Sequence, residues 1–184
     1  HRLRDKMRRG VVDDETFFAQ SVWKGYTTWD WPALVETHTR GAAVLRDMGC
    51  LSVLEIGSGS GWNSALIGFI TKRMVYSVEY NKKVAELAKN NLKSAKIRNV
   101  KVIEGDGNKG YEKEMPYDRT IVTAACSRVP SDLIKQLKDK GIILVPIGGL
   151  FGQDMIKIRK FNENLEKENL GRFVFVPLKG KYGF

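Results

Sequence analysis

The sequence predicts a doubly wound α/β fold whose mostly parallel sheet of seven strands ends in an antiparallel pair. From residue 52 onward, short apolar runs alternate with longer segments of helical period, as in successive βαβ units. The run at 53–56 leads directly into three glycines at alternate positions, Gly57, Gly59 and Gly61. After residue 150 the helical segments cease and two strand-like runs follow one another, which favours the antiparallel pair.

Each element of the predicted sheet follows from the spacing of its apolar residues and from the residues at its ends. The predicted strands are Ser52–Ile56, Met74–Glu79, Val100–Glu104, Arg119–Thr123, Ile142–Pro146, Met155–Phe161 and Arg172–Leu178. The predicted helices are Asn63–Lys72, Lys82–Ala95 and Ser131–Leu137. The polar stretch Asn162–Asn169 is expected to separate the last two strands. Because crossovers between parallel strands are right-handed, the helices should cover both faces of a Rossmann-like sheet.

The length and composition indicate one compact domain. A chain of 184 residues with 42% hydrophobic residues can bury one ordinary core. Within that domain, residues 51–184 are expected to form the sheet core. Residues 1–50 are expected to form a helical lead-in, in which Pro32 suits the first turn of a helix that runs to about Met48.

The charge and the cysteines limit the classes of partner and the cell compartment. The formal net charge of +10 favours anionic partners such as nucleic acid, acidic protein segments or acidic lipid surfaces, although solvated basic termini account for part of the excess. Cys50 and Cys126 stand alone, which argues against a disulfide framework or a zinc site and favours a reducing, cytoplasmic location. No apolar run approaches the roughly 20 residues that span a bilayer, so we expect no membrane segment.

Acidic residues end or follow the second and third predicted strands. Glu79 lies eighteen residues beyond Gly61, close to where nucleotide folds place an acid on the ribose hydroxyls. Asp106 lies between two glycines just after the third strand. In a parallel sheet these strand ends share one edge and therefore one ligand crevice. The alternatives are a Glu79 that faces solvent and an Asp106 that only makes a turn.

The acid Glu55 stands two residues before the first glycine, and no lysine follows the glycines as in a phosphate-binding loop. A carboxylate at this place disfavours a pyrophosphate and suits a cofactor that carries a cation. S-adenosylmethionine has a positively charged sulfonium and an amino group, and it contains no phosphate. The pattern therefore favours S-adenosylmethionine over a dinucleotide.

Four sequence blocks carry a family resemblance. They are residues 54–63 (Leu-Glu-Ile-Gly-Ser-Gly-Ser-Gly-Trp-Asn), 105–107 (Gly-Asp-Gly), 117–125 (Tyr-Asp-Arg-Thr-Ile-Val-Thr-Ala-Ala) and 175–178 (Phe-Val-Pro-Leu). With them the chain resembles the class I S-adenosylmethionine-dependent methyltransferases, and most closely the protein-L-isoaspartate O-methyltransferase family. Many methyltransferases share the first block, whereas the third and fourth are more specific.

The resemblance implies a cofactor site, residue by residue. The residues that it places around S-adenosylmethionine are Glu55, Gly57, Ser58, Gly59 and Gly61 at the methionine part, Glu79 at the ribose, Asp106 and Gly107 at the adenine, and Thr123, Ala124 and Ala125 near the transferable methyl, with Asn63 and Tyr80 beside them. The small side chains that follow the fourth strand leave room for an acceptor.

The resemblance also implies an acceptor, namely the carboxylate of isoaspartyl residues in damaged proteins or peptides. A carboxylate is ionised at neutral pH, about three units above its usual pKa, so it can attack an activated methyl without a general base. The lead-in would form part of the acceptor side, where Asp30 and Thr123 are the candidate catalytic residues.

The acceptor side departs from the family pattern. The family's Thr-Ile-Ser-x-Pro segment has no match in residues 27–32, and alignment puts Asp30 or Trp29 at the place of its serine. An anionic Asp30 would repel a carboxylate acceptor unless its pKa were raised or a cation intervened. Three functions stay open: isoaspartyl methyl transfer, which we favour; methyl transfer to another peptide, a small molecule or RNA; and a non-catalytic module that binds nucleic acid.

Overall fold

A computed structural model describes residues 52–149, 152–180 and 182–183 of the chain. Its strands are β1 (Val53–Ile56), β2 (Val75–Glu79), β3 (Val100–Glu104), β4 (Tyr117–Val122), β5 (Leu137–Gly149), β6 (Gly152–Phe161) and β7 (Asn164–Phe173). Its helices are α1 (Trp62–Thr71), α2 (Lys82–Ser94) and α3 (Ser131–Lys135). None of these described helices is long and apolar enough to cross a membrane. The predicted lead-in, Asp30 and Cys50 lie outside the described residues.

The described strands form one sheet in the order β3-β2-β1-β4-β5-β6-β7. The first five in this order are parallel to one another, whereas β6 is antiparallel to β5 and β7 is antiparallel to β6. The prediction of a mostly parallel sheet that ends in an antiparallel pair is therefore confirmed. The strand order reverses between β1 and β4, and ligands of such sheets bind at this reversal, outside the carboxyl ends of the strands.

Strand β1 lies at the centre of the core, and all four of its residues are buried. Leu54 and Ile56 belong to a buried cluster that also contains Val78, Val122 and Val145 from the neighbouring strands. Each fully buried aliphatic side chain contributes about 1.5–3 kcal/mol to folding. The core thus fixes the strand from which the glycine loop emerges.

Helix α2 begins at an asparagine cap and packs on the sheet through small residues. The Asn81 side-chain oxygen accepts hydrogen bonds from the backbone N–H groups of Lys83 and Val84, at 2.9 and 3.3 Å. This cap satisfies two donors that the first turn of a helix otherwise leaves without a partner. Ala85 and Ala88 are fully buried on the inner face. Because both side chains are small, the helix axis can lie close to the glycine loop.

The last strand begins earlier than predicted. The sequence predicts a strand at Arg172–Leu178, but β7 occupies Asn164–Phe173, so most of the expected separator is itself a strand. A two-residue turn at 162–163 joins β6 to β7 and contains Asn162, with a φ of 51°. Almost every residue of β7 is exposed, since the strand lies at a sheet edge. The prediction was wrong because it relied on apolar content, which a charged edge strand does not need.

Candidate functional site

The loop of residues 57–61 turns the chain from β1 into α1 at the carboxyl edge of the sheet. Gly57, Gly59 and Gly61 have φ values of 98°, 52° and 83°, in the left-handed region that residues with a Cβ rarely adopt. A Cβ on Gly57 would collide with Thr123 Oγ1, and a Cβ on Gly61 would lie 3.1 Å from the Ala88 carbonyl oxygen. Glycine is therefore required here by conformation and by close neighbours alike.

Glu55 lies beneath this loop, completely buried, instead of facing the crevice. One carboxylate oxygen accepts a hydrogen bond from Asn63 Nδ2 at 2.7 Å. The other accepts from Ser77 Oγ at 2.6 Å and from the Ser64 hydroxyl. The Ser58 hydroxyl lies 2.6 Å from Ser77 Oγ and extends the network into the loop. Glu55 thus joins β1, β2, the loop and the first turn of α1, which makes it a positioning residue.

Burial raises the pKa of the Glu55 carboxyl above its ordinary value of 4.5, because the loss of water outweighs the three side-chain hydrogen bonds. The folded protein therefore holds a proton at pH values where the unfolded chain has released it. Binding of this proton stabilises the folded state. The stabilisation is complete below about pH 4.5 and is lost as the pH rises through the raised pKa.

Replacing Glu55 with glutamine is expected to remove this pH dependence. The amide oxygen can accept from Asn63, and the amide N–H groups can donate to the two serine hydroxyls, so the network keeps its partners. Relative to wild type, the free energy of unfolding of the variant should increase as the pH rises from 4.5 to the raised pKa of Glu55, and the difference should then level off. Urea denaturation over a series of pH values measures the difference, and a difference that stays constant or falls would contradict the raised pKa.

Glu79 ends β2 beside the glycine loop and is only partly buried. Its two carboxylate oxygens accept hydrogen bonds from the backbone N–H of Gly59, at 3.1 Å, and from that of Asn81, at 3.0 Å. A carboxylate can accept about four hydrogen bonds, so two remain for a ligand with paired hydroxyls. Tyr80 follows with 58% of its surface exposed, at the rim of the same strand end.

Asp106 caps a short helical turn, Gly107–Lys109, after β3. Its Oδ1 accepts hydrogen bonds from the backbone N–H and from the side-chain Nδ2 of Asn108, at 3.0 and 2.6 Å. No hydrogen bond from another described residue reaches its Oδ2, which leaves this oxygen for a ligand donor. Gly107 is buried, and a Cβ there would collide with Ile56 at the end of β1.

Asn108 ties this turn to the C-terminal segment, which we define as residues 174–180 and 182–183. Its Nδ2 donates to the Lys179 carbonyl oxygen at 2.8 Å, and its Oδ1 accepts from the Tyr182 N–H at 3.2 Å. The same segment forms two backbone hydrogen bonds with Ala125. The Ala125 N–H donates to the Val176 carbonyl at 2.8 Å, and the Ala125 carbonyl accepts from the Leu178 N–H at 2.9 Å. The C-terminal segment therefore borders the carboxyl ends of β3 and β4.

Thr123 is 8% exposed and lies against the glycine loop. Its hydroxyl oxygen is 2.8 Å from the Ile56 carbonyl oxygen and 2.7 Å from that of Gly57. The single hydroxyl hydrogen is directed at these two backbone acceptors. This geometry favours a positioning role, in which Thr123 holds the end of β4 to the end of β1. Ala124 and Ala125 follow it and are buried.

The described structure thus groups the glycine loop, Glu79, Asp106 and Thr123 at one edge of the sheet, as the sequence predicts. It places Glu55 below that group. Sequence reasoning missed Ser77 and Asn108. A polar residue inside an apolar strand is a signal for Ser77, which is the β2 partner of Glu55 in the ladder. The sequence carries no local signal for the contacts of Asn108, since its partners lie 71 and 74 residues away.

Comparison with known families gives a match that covers most of the chain. The model of the family protein-L-isoaspartate(D-aspartate) O-methyltransferase matches residues 37–183. A protein-L-isoaspartate O-methyltransferase of Pyrococcus abyssi is 44% identical over 136 residues, which are 73% of this chain and 63% of that protein. One of Dictyoglomus turgidum is 47% identical over 132 residues, 72% of this chain and 60% of that protein. The matched part of the chain therefore spans less than two thirds of the length of these relatives.

Several solved structures resemble this one, including a protein-L-isoaspartate O-methyltransferase and a protein of Plasmodium falciparum. A protein-L-isoaspartate O-methyltransferase superposes with a TM-score of 0.69 at 33% identity, over 77% of this chain and 47% of that chain. A Plasmodium falciparum protein, named as a beta-aspartate methyltransferase and crystallised with S-adenosyl-L-homocysteine, superposes with a TM-score of 0.67 over 96% of both chains. At 23% identity, this second likeness bears on the fold alone.

Proposed function

The chain belongs to the protein-L-isoaspartate(D-aspartate) O-methyltransferase family, and from this premise we propose that it transfers the methyl group of S-adenosylmethionine to the carboxylate of isoaspartyl residues in proteins or peptides. The observation that carries the proposal is the grouping of the glycine loop, Glu79 and Asp106 at the carboxyl edge of the sheet. Relatives that share 44% and 47% of the aligned residues carry the name of this activity.

The residues at this edge fit S-adenosylmethionine. Glu79 keeps two hydrogen-bonding positions for the ribose hydroxyls, and Asp106 Oδ2 can accept from the adenine amino group. Asn63 Oδ1 is buried and has no hydrogen-bond partner among the described residues, as expected of an acceptor for the amino group of the methionine part. No phosphate-binding lysine is needed, because this cofactor has no phosphate. When bound, it supplies a methyl group on a positively charged sulfur.

The residues of this chain act by positioning rather than by proton transfer. An isoaspartyl carboxylate is already ionised at neutral pH, so no general base has to remove a proton from it. Thr123 directs its hydroxyl hydrogen at backbone carbonyls, which suits a residue that fixes the loop. Ala124 and Ala125 present no bulk beside it. Alignment of the acceptor with the methyl group supplies the rate.

The proposal extends to the domain organisation and the location. Residues 1–50 would form the acceptor side of the site, and residues 51–184 the methyltransferase core. A cytoplasmic location fits the one cysteine of the described residues, since Cys126 is a free and buried thiol. Burial raises the pKa of Cys126 to about 12, so it serves as a small core residue rather than as a reactive group.

The test is methyl transfer from labelled S-adenosylmethionine to an isoaspartyl peptide, beside the same peptide with a normal aspartyl residue. We expect base-labile label in the isoaspartyl peptide alone. Binding of the cofactor without transfer to this peptide would overturn the proposed acceptor. It would then favour the second candidate, a methyltransferase of the same ancestry that acts on another acceptor, which the Asp30 substitution motivates.

Replacing Asp30 with serine is expected to increase isoaspartyl transfer, because it removes a negative charge from the place where the family carries a serine. The measurement is kcat/KM for the isoaspartyl peptide. Asp30→Asn is the matched variant, since it removes the charge without supplying a hydroxyl. An unchanged or lower kcat/KM in both variants would show that Asp30 does not limit the acceptor.

A further inference from the structure

A groove of about 400 Å³ lies between the C-terminal half of α2 and the start of β3, away from the carboxyl edge. Four cationic side chains line it: Lys89, Lys93, Lys96 and Arg98. No acidic side chain of the described residues belongs to this lining. The groove is therefore strongly basic, and its four cations are part of the excess that gives the chain its net charge of +10.

Three of these cations lack a compensating charge. The Lys89 ammonium forms an ion pair with Glu86 at 2.8 Å, which neutralises it. Lys93, Lys96 and Arg98 are exposed, and no acidic group in the described part of the chain lies within ion-pair distance of them. Cations that are close together and unpaired repel one another, so an anionic partner would lower their energy.

The floor of the groove is aliphatic. Leu92, Ile97, Val100 and Val102 supply it, and no aromatic ring lines it. Glutamate side chains suit an apolar floor between charged walls, because their methylene stems can pack on the floor while their carboxylates reach the walls. Single-stranded nucleic acid, by contrast, is usually held by stacking on aromatic rings. The lining therefore favours a polypeptide over a nucleic acid.

Strand β3 also has a free edge beside the groove. Val75 N–H donates to the Asn99 carbonyl, and Gly105 N–H donates to the Glu79 carbonyl, both at 2.9 Å. In a parallel ladder alternate residues point their backbone groups to opposite sides, so Asn99 and Gly105 fix the side that faces β2. Val100 and Val102 then direct their backbone N–H and C=O groups outward, to the side of β3 on which no described strand lies.

We propose that this groove binds an extended, acidic polypeptide segment, which adds a strand to the free edge of β3 and places its carboxylates on Lys93, Lys96 and Arg98. Backbone hydrogen bonds would supply affinity, and the cations would select acidic side chains. Glu104 is the last residue of β3 and lies on the same face as Val100 and Val102. Its carboxylate would repel acidic side chains, so the acidic residues of the segment belong at the other end of the groove, near Arg98. The site is separate from the cofactor crevice.

The test uses the full chain and a fluorescent octapeptide in which valine and glutamate alternate, followed by anisotropy. The triple variant Lys93→Gln, Lys96→Gln and Arg98→Gln should bind it roughly tenfold more weakly, since each exposed ion pair contributes a modest amount. The matched control is Lys83→Gln, Lys113→Gln and Lys167→Gln, which removes three exposed charges outside the lining. It should stay within about twofold of wild type. Unchanged binding of S-adenosylhomocysteine in both triple variants shows that they are folded.

Two further probes decide between the possible outcomes. A peptide with N-methyl groups on alternate residues cannot complete a ladder, so it should bind much more weakly than the unmodified peptide. Equal loss of affinity in the two triple variants would show only diffuse charge attraction and would overturn the proposal. Tighter binding of an oligouridylate than of the peptide, with the same dependence on the three cations, would overturn it in favour of a nucleic-acid surface. Equal affinities of the N-methylated and the unmodified peptide would refute the added strand.

Discussion

Replacing Gly57 with alanine is expected to abolish cofactor binding and to destabilise the protein. The φ of 98° would cost a residue with a Cβ about 1–2 kcal/mol. The new methyl group would collide with Thr123 Oγ1. Thr123 cannot withdraw without losing the hydrogen bond that its hydroxyl shares between two carbonyls at the carboxyl end of β1, which contributes about 1 kcal/mol. The free energy of unfolding should fall by about 2–4 kcal/mol in total.

Urea denaturation measures the loss of stability, and titration calorimetry with S-adenosylhomocysteine measures the loss of binding. Gly149→Ala is the matched control, because no atom lies within 4 Å of its would-be Cβ. If the two variants behaved alike, the conformational argument for the loop would be wrong. A double variant that also carries Thr123→Ala separates the collision from the backbone strain, since coupling between the two sites makes their effects non-additive.

Replacing Glu79 with alanine is expected to lower the affinity for the cofactor about 10- to 100-fold. Hydrogen bonds to a charged group contribute about 1.5–3 kcal/mol, and this carboxylate is proposed to hold the ribose. The variant also frees the N–H groups of Gly59 and Asn81 that now fix the loop to α2. The effect should appear in the dissociation constant of S-adenosylhomocysteine, with a smaller change in the free energy of unfolding.

Glu104→Ala provides the control for Glu79. The two glutamates are direct partners in the β2–β3 ladder, at the same carboxyl edge and with the same charge. Glu104 is exposed and has no hydrogen bond to the glycine loop among those described. Its removal should leave cofactor affinity nearly unchanged. Equal losses in both variants would mean that the edge acts through its total charge and not through a specific contact at Glu79.

The sheet could be predicted because buried parallel strands leave a strong apolar signal in the sequence. Strand β3 has the predicted bounds, and β1, β2 and α2 differ from prediction by a residue at one end. The bounds of the edge strand β7 were predicted wrongly, because most of its residues are exposed and no apolar pattern marks it. Helix α3 ends at Lys135, two residues before the predicted end, because Leu137 already pairs with Tyr117 in the sheet. Pairing with a distant strand thus overrode the local helical pattern at the end of α3.

In the candidate site, too, local sequence predicts the position of some residues and not of others. The glycines, Glu79 and Asp106 follow directly from strand ends, so local sequence places them together. The position of Glu55 does not follow, since an acid that precedes the glycines can point up into the crevice or down into the core. Its direction depends on Ser64 and Ser77, which reach it from α1 and from the neighbouring strand. Spacing along the chain contains no information about that choice.

The link between Asn108 and the C-terminal segment bears on the order in which the protein is made and folded. Lys179 and Tyr182 follow Asn108 by 71 and 74 residues. Contacts of such separation form late, because the intervening chain must first lose the entropy of a long loop. A nascent chain that has not yet released this segment from the ribosome can form the glycine loop but cannot complete the border beside Asp106. Ligand affinity should therefore appear in truncated or stalled chains only once residue 182 is free to fold.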